Sequence, residues 1–154
     1  PADVPGCPSY IDYKALEADY LAKMTPTKLS KALVSTETLV CVADHLRNPY
    51  PLAYTPQFRF WVRKMFSMGH EQTQFDLPAV DLDGECLPIV IHDGRPVAVK
   101  EQLYEILCHC HLLTGHAGRD RTSATVWARY SWIPKELIAR FVRACPTCTT
   151  KRSG

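Results

Sequence analysis

Apolar positions in the first third of the chain recur three and four residues apart, the period of a helix with one buried face. Tyr13, Leu16, Tyr20 and Met24 predict a first helix. Leu29 and Leu33, then Leu39, Ala43 and Leu46, predict one broken helix or two short ones before the Asn-Pro-Tyr-Pro turn at 48–51. Thr55 followed by Pro56 reads as an N-cap with proline in the first helical position, opening a helix that Gly69 would stop. Phe58, Trp61, Val62 and Met65 share one face of it, with Arg59 and Arg63 off that face. The period then changes. LPIVIHDGRPVAV is loosely alternating and rich in β-branched residues, and Asp93-Gly94 at its centre is the signal for a hairpin with a type I′ turn. Asp83-Gly84 marks another turn just before it. From Lys100 the helical period returns. Leu103, Ile106, Leu107 and Cys110 define one helix ending near His111, and Thr122, Val126 and Tyr130 define a second. Pro134 opens a third, with Leu137, Ile138, Phe141 and Val142 on its apolar stripe. Pro146 is expected to prevent further helix just after Cys145.

These elements predict a mostly α fold with a small β-hairpin: a helical N-terminal region over 1–74, and a hairpin followed by a three-helix bundle over 75–154. Three short helices and a hairpin make a marginal core, and such a domain gains much from a metal staple. Cysteine usage points the same way. Three of the seven cysteines, Cys7, Cys41 and Cys86, are isolated, whereas four lie between 108 and 148. An odd, uneven set is a poor disulfide framework and a plausible metal site in a reducing compartment.

His111-x4-His116-x28-Cys145-x2-Cys148 supplies two nitrogens and two sulfurs, a set that one zinc ion accepts tetrahedrally with no position left open. His111 leaves the last turn of the first bundle helix, and Gly115 lets the chain fold back to present His116. Cys145 ends the third helix, with Cys148 about one turn beyond. An ion there would be structural, its binding energy appearing as folding energy. The run CHCH at 108–111 keeps alternatives open: His109-x6-His116 is possible, Cys108 lies one turn before His111, and Cys110 fits the apolar face.

The chain carries a net charge of +2, unevenly distributed. Residues 1–100 hold ten basic and twelve acidic groups, whereas residues 101–154 hold eight basic and four acidic ones, a balance of +4 beside the His/Cys cluster. That placement suits contact with a polyanion. The eight basic residues Arg119, Arg121, Arg129, Lys135, Arg140, Arg143, Lys151 and Arg152 are the candidate DNA-binding set, contacting chiefly phosphates. A second basic-aromatic stretch, FRFWVRKMF at 58–66, reads as a buried helix with a solvated basic side rather than a stacking surface built on Phe60 or Phe66.

Enzyme motifs are missing from the sequence. His70-Glu71 begins like a metalloprotease motif, but position 74 is Gln rather than the second zinc histidine. Neither a G-x-S-x-G nor a phosphate-binding glycine loop occurs. No apolar run approaches the roughly 18 residues of a membrane span, and PADVPGCPSY has neither the basic start nor the apolar stretch of a signal peptide. Neither a membrane nor a small-molecule substrate is expected as a partner. The chain begins without Met and ends on KRSG, so it reads as a piece of a longer protein.

Together, H-x4-GHAGRDRT, the Tyr130-Ser131-Trp132 element, ELIARFVRAC and CPTC-x2-KR resemble the HHCC zinc domain of retroviral and retrotransposon integrases. The GRDRT form looks closest to the integrase-like transposases and to host proteins derived from them, and LPIVIHDGRPVAVKEQLYEIL is similar to the hairpin that often precedes the domain. The resemblance covers roughly 87–152. It implies a zinc-closed, helix-turn-helix-like three-helix bundle that supports multimerisation and contacts DNA, with His111, His116, Cys145 and Cys148 as ligands, Trp132 as a core aromatic and Thr122 early in the second helix. In that family a separate domain with three metal-binding carboxylates performs the chemistry. It should follow the last cysteine, and here the chain stops six residues past it. The expectation is therefore a non-catalytic, zinc-dependent DNA-binding domain of a transposon-derived nuclear protein working in transcription or chromatin. The alternatives are a protein-interaction or oligomerisation module, and the front part of an active integrase.

Overall fold

The computed structural model describes residues 1–50, 52–70, 77, 80 and 83–153, with the backbone alone for Ser153. The expected division between residues 74 and 75, and Glu71 and Gln74 of the incomplete metalloprotease motif, lie outside the described residues. The chain forms two compact units: Pro1–Leu33 with Gln102–Ala128 and Ile133–Gly154, and Val34–Glu101 with Arg129–Trp132.

The first unit is helical. It contains α1 (Tyr10–Ala22), α2 (Pro26–Ala32), α5 (Leu103–Leu113), α6 (Arg119–Arg129, its last residue counted with the second unit), α7 (Lys135–Ala144) and α8 (Pro146–Ser153). Serine and threonine start the N-terminal helices: Ser9 accepts from the Asp12 amide and Thr25 from the Lys28 amide, each satisfying a first-turn donor. α1 and α5 both pack on α7. Tyr13, Tyr104, Ile106, Leu107, Leu137, Ile138 and Phe141 are fully buried between them. Each such side chain contributes roughly 1.5–3 kcal/mol of burial free energy, which outweighs the weak propensity of helices this short. On α1 the buried face is not the expected one throughout. Leu16 is half-buried, whereas Glu17 is buried and accepts from the Tyr13 hydroxyl at 2.7 Å and from Lys14 Nζ at 2.7 Å. The hydroxyl and ammonium replace the water the carboxylate loses, so a charged residue is tolerated inside.

The bundle has one helix more than expected. Pro146 does not end the helical structure; it opens α8, since proline lacks only an N–H that a first-turn residue would leave unpaired anyway. Cys145 is the C-cap of α7, in extended conformation, so the two helices meet at a sharp corner and not as a continuous rod.

The second unit combines α3 (Thr36–Arg47) and α4 (Pro56–Met65) with a three-stranded antiparallel sheet of β1 (Ser67–Met68), β2 (Val90–His92) and β3 (Arg95–Pro96), in that spatial order. Thr55 caps α4 as expected, accepting from the Phe58 amide. The Asp93-Gly94 turn has φ of 52° and 76°, the left-handed pair a type I′ hairpin requires. Strand β1 has no local sequence signal and exists by pairing, Ser67 with Ile91 and Met68 with Val90. Gly69 follows it because Ile89 lies too close for any side chain: a Cβ there would sit 2.3 Å from Ile89 Cγ2. Val34, Leu39, Val42, Val62, Phe66, Val90 and Val99 form the core, with Trp61 and Trp132 packed against it. Phe66 is thus buried and unable to stack on a base, while Phe60 is exposed. The expected core aromatic Trp132 belongs to this unit, its ring 5.0 Å from Phe66 and 4.8 Å from His92 between centroids.

Candidate metal centre

Three corners of the helical unit deliver the four expected side chains to one point. His111 stands on the last full turn of α5 and is completely buried. The chain then reverses through Gly115 and His116, with φ of 65° and 63°. Glycine takes that conformation freely, whereas His116 holds it at a cost of order 1 kcal/mol, supported by its N–H, which donates to the His111 carbonyl at 3.1 Å. Cys145 ends α7 and Cys148 lies in the first turn of α8, both buried.

The ligating atoms of His111, His116, Cys145 and Cys148 all lie within 4.8 Å of one another. His111 Nε2 is 3.2 Å from Cys148 Sγ, and His116 Nδ1 is 3.4 Å from Cys145 Sγ. A tetrahedral zinc ion with ordinary Zn–N and Zn–S bonds separates nitrogen from sulfur by about 3.6 Å, so both edges are close to the size the ion needs. Two imidazoles and two thiols are a donor set zinc favours. Among the described residues no other group of three or more His, Cys, Asp or Glu side chains is placed to hold a metal.

The neighbours fix which nitrogen faces inward. Thr122, fully buried on α6, donates its hydroxyl proton to the Ala117 carbonyl at 3.2 Å, leaving its oxygen to accept from His111 Nδ1–H at 3.0 Å. Nε2 is then the free lone pair, pointing at the sulfurs. Burial lowers the His111 imidazole to about 4, with the adjacent His116 and Lys151 adding to it, so the ring is neutral at pH 7 as a ligand must be. His116 is lowered in the same way, chiefly by burial. Burial raises the Cys148 thiol, so that metal binding would release its proton.

His109 is half-buried and stands outside this cluster, as do Cys108 and Cys110, both buried. Cys108 hydrogen-bonds instead with Cys7, an interaction that raises the Cys108 thiol and lowers that of Cys7. Cys7 belongs to an N-terminal segment that sequence reasoning did not connect with the site. Gly6 accepts from Thr147 Oγ1 at 2.8 Å and from the Cys145 thiol at 3.2 Å. The Val4 amide donates to the Tyr104 hydroxyl at 3.1 Å, which itself donates to the Pro8 carbonyl at 2.8 Å. Contacts across about a hundred residues carry no local signal.

The basic residues have dissimilar surroundings. Arg119, Arg121, Arg143 and Arg152 line one concavity. Arg140 is held by Asp19 at 2.6 Å and Glu136 at 3.2 Å, with its guanidinium over Tyr20. Lys135 faces Asp120 at 3.6 Å, Lys151 Nζ donates to the Gly115 carbonyl at 3.3 Å, and Arg129 belongs to the second unit.

Residues 99–153 match the family described as the integrase zinc binding domain, and His111, His116, Cys145 and Cys148 of this segment are positioned as an HHCC site. Nucleolar protein 4 from Homo sapiens is 28% identical over 110 residues, 60% of this chain and 17% of that protein. Its counterpart in Mus musculus is 34% identical over 62 residues, 35% of this chain and 13% of that protein. KRAB-A domain-containing protein 2 from Homo sapiens is 36% identical over 52 residues, 34% of this chain and 11% of that protein. The matches thus span about a sixth or less of these relatives' lengths. No solved structure matches the chain significantly. No helix among the described residues is long and apolar enough to cross a membrane.

Proposed function

We propose that this chain carries a non-catalytic, zinc-dependent DNA-binding module of a transposon-derived nuclear protein working in transcription or chromatin. The observation that carries the reading is the convergence of His111 Nε2, His116 Nδ1, Cys145 Sγ and Cys148 Sγ at separations suited to one tetrahedral ion. Zinc bound there would supply the cross-link that makes the helical unit independently stable. Thr122 holds the ring of His111, the Gly115-His116 reversal presents the second imidazole, and the α7–α8 corner presents both thiolates. Four protein ligands leave no place for a reacting water, which favours a structural over a catalytic centre. The +4 balance of residues 101–154 supports a polyanionic partner. The nuclear assignment is supported by the names of two relatives, both nucleolar proteins.

Binding of the zinc-loaded chain to a labelled DNA duplex, followed by anisotropy across a salt series, tests this reading. Micromolar affinity that falls steeply with salt is expected, because each neutralised phosphate adds about 0.9 to the slope of log K against log salt. Absence of binding at low salt would overturn it. The second reading, an oligomerisation module, is favoured by Leu112 and Leu113, which lie 42% and 52% exposed at the end of α5. Sedimentation to a monomer at high concentration would count against that alternative.

A further inference from the structure

Four of the eight basic residues in the C-terminal part of the chain line a single open concavity of about 500 Å³. It lies between the start of α6, with Gly118 just before the helix and Arg119 and Arg121 in its first turn, the C-terminal half of α7, with Arg143, and the last turn of α8, with Arg152. Three separate helices therefore bring guanidinium groups to one place, which no periodicity in the sequence specifies. Ala139 and Val142, both buried, form its floor.

The charge in this concavity is incompletely matched. Asp120 is the acidic residue lining it, and it is shared between Arg119 at 3.0 Å and Lys135 at 3.6 Å. Glu136 meets Arg143 at 3.2 Å but also Arg140 at 3.2 Å. Arg152 donates to the Arg143 carbonyl and to Thr149 Oγ1, both at 3.3 Å, which holds its guanidinium without neutralising it. Arg121 is exposed and makes no ion pair with the described residues. Guanidinium forks suit phosphate oxygens in pairs, and the open start of α6 adds backbone donors of the same sign. A mouth this open suits a polymer lying across it better than an enclosed small molecule.

We infer that this arginine-lined concavity is the seat of consecutive backbone phosphates of a bound nucleic acid. The assignment rests on the DNA-binding reading and narrows it: Arg119, Arg121, Arg143 and Arg152 make the contacts, while Arg140 is occupied by Asp19 and Glu136 in holding α1 to α7.

The test compares three zinc-loaded full chains by duplex anisotropy at several salt concentrations: the unmodified chain, R121A/R143A, and a control of equal charge change on α2, K28A/K31A. Melting temperature and zinc content are checked for each, and Arg152→Ala serves as a second cavity variant should the double variant fold poorly. At 0.1 M salt the cavity variant should bind at least tenfold more weakly, with its salt slope reduced by about 1.8 for two lost phosphate contacts. The control should stay within twofold. Binding by the unmodified chain that R121A/R143A leaves unchanged, or that the control weakens equally, would overturn the cavity assignment and leave the DNA-binding reading standing. Absence of DNA binding by the unmodified chain would overturn both. Saturable binding of inorganic pyrophosphate that needs Arg121 and Arg143, without duplex binding, would place a free phosphate compound there and contradict the backbone assignment.

Discussion

Replacing Thr122 by valine changes the side chain's shape very little and removes one hydroxyl. That hydroxyl is fully buried, accepts from His111 Nδ1–H at 3.0 Å and donates to the Ala117 carbonyl at 3.2 Å. Valine leaves the imidazole N–H without its partner in a buried position, which costs about 1–3 kcal/mol. The ring can recover a bond only by turning, and turning takes Nε2 away from Cys148 Sγ, now 3.2 Å distant. Loss of such a supporting partner lowers metal affinity by about 10–100-fold, or roughly 1.4–2.8 kcal/mol, so two routes to the magnitude agree. Zinc affinity measured by competition with a chromophoric chelator should show this drop for Thr122→Val, with helical circular dichroism unchanged at saturating zinc. Thr122→Ser, which keeps the hydroxyl, should restore most of the affinity. A valine variant binding zinc within twofold of the parent chain would refute the assignment of Thr122 as the group that orients His111.

Other consequences follow from the same geometry. Cys145→Ser and His116→Ala should each abolish cooperative melting of the helical unit, because the marginal core depends on the ion; an unshifted melting curve for Cys145→Ser would contradict that dependence. Acidification from pH 7 to 5 should release zinc, since binding requires neutral imidazoles and deprotonated thiols and so weakens as protons compete; dialysis followed by metal analysis at each pH reads this directly. Gly6→Val should destabilise the zinc-loaded chain by about 1–2 kcal/mol, as φ there is +84° and a Cβ would approach Thr147 Oγ1 to 3.3 Å and His116 Nε2 to 3.5 Å; thermal denaturation checks it. Tyr13→Phe should cost about 1–3 kcal/mol by removing a hydrogen bond to the buried Glu17 carboxylate, measurable by denaturant unfolding, with zinc affinity unchanged.

What the sequence discloses depends on whether its cause is local. The cap at Thr55, the Asp93-Gly94 turn and the stripe on α7 are written within a few residues of where they act, and the structure has them. The four side chains of the candidate centre were also legible, because ligand chemistry and helix-end spacing restrict the choices. Helix α8 differs from the expectation because proline excludes the interior of a helix but suits its first position, and the letters alone do not say which applies at Pro146. Strand β1 has no signal of its own; Ser67 and Met68 are extended because β2 accepts them. Glu17 in the interior, Gly6 beside Thr147 and Arg140 beside Asp19 all depend on partners brought together by folding. The concavity of Arg119, Arg121, Arg143 and Arg152 belongs to the same class. Charge counting names eight basic residues without distinguishing them, and the meeting of α6, α7 and α8 brings four of them to one place.

X-ray absorption at the zinc edge of the metal-loaded chain tests the central assignment most directly. A closed site holds one ion per chain with two sulfurs at about 2.3 Å and two nitrogens at about 2.0–2.1 Å, and that is the expected shell. His116→Ala should remove one nitrogen from that shell. A shell with an oxygen or open position in the parent chain, or one whose sulfur count survives Cys145→Ser and Cys148→Ser unchanged, would contradict a closed site built from His111, His116, Cys145 and Cys148.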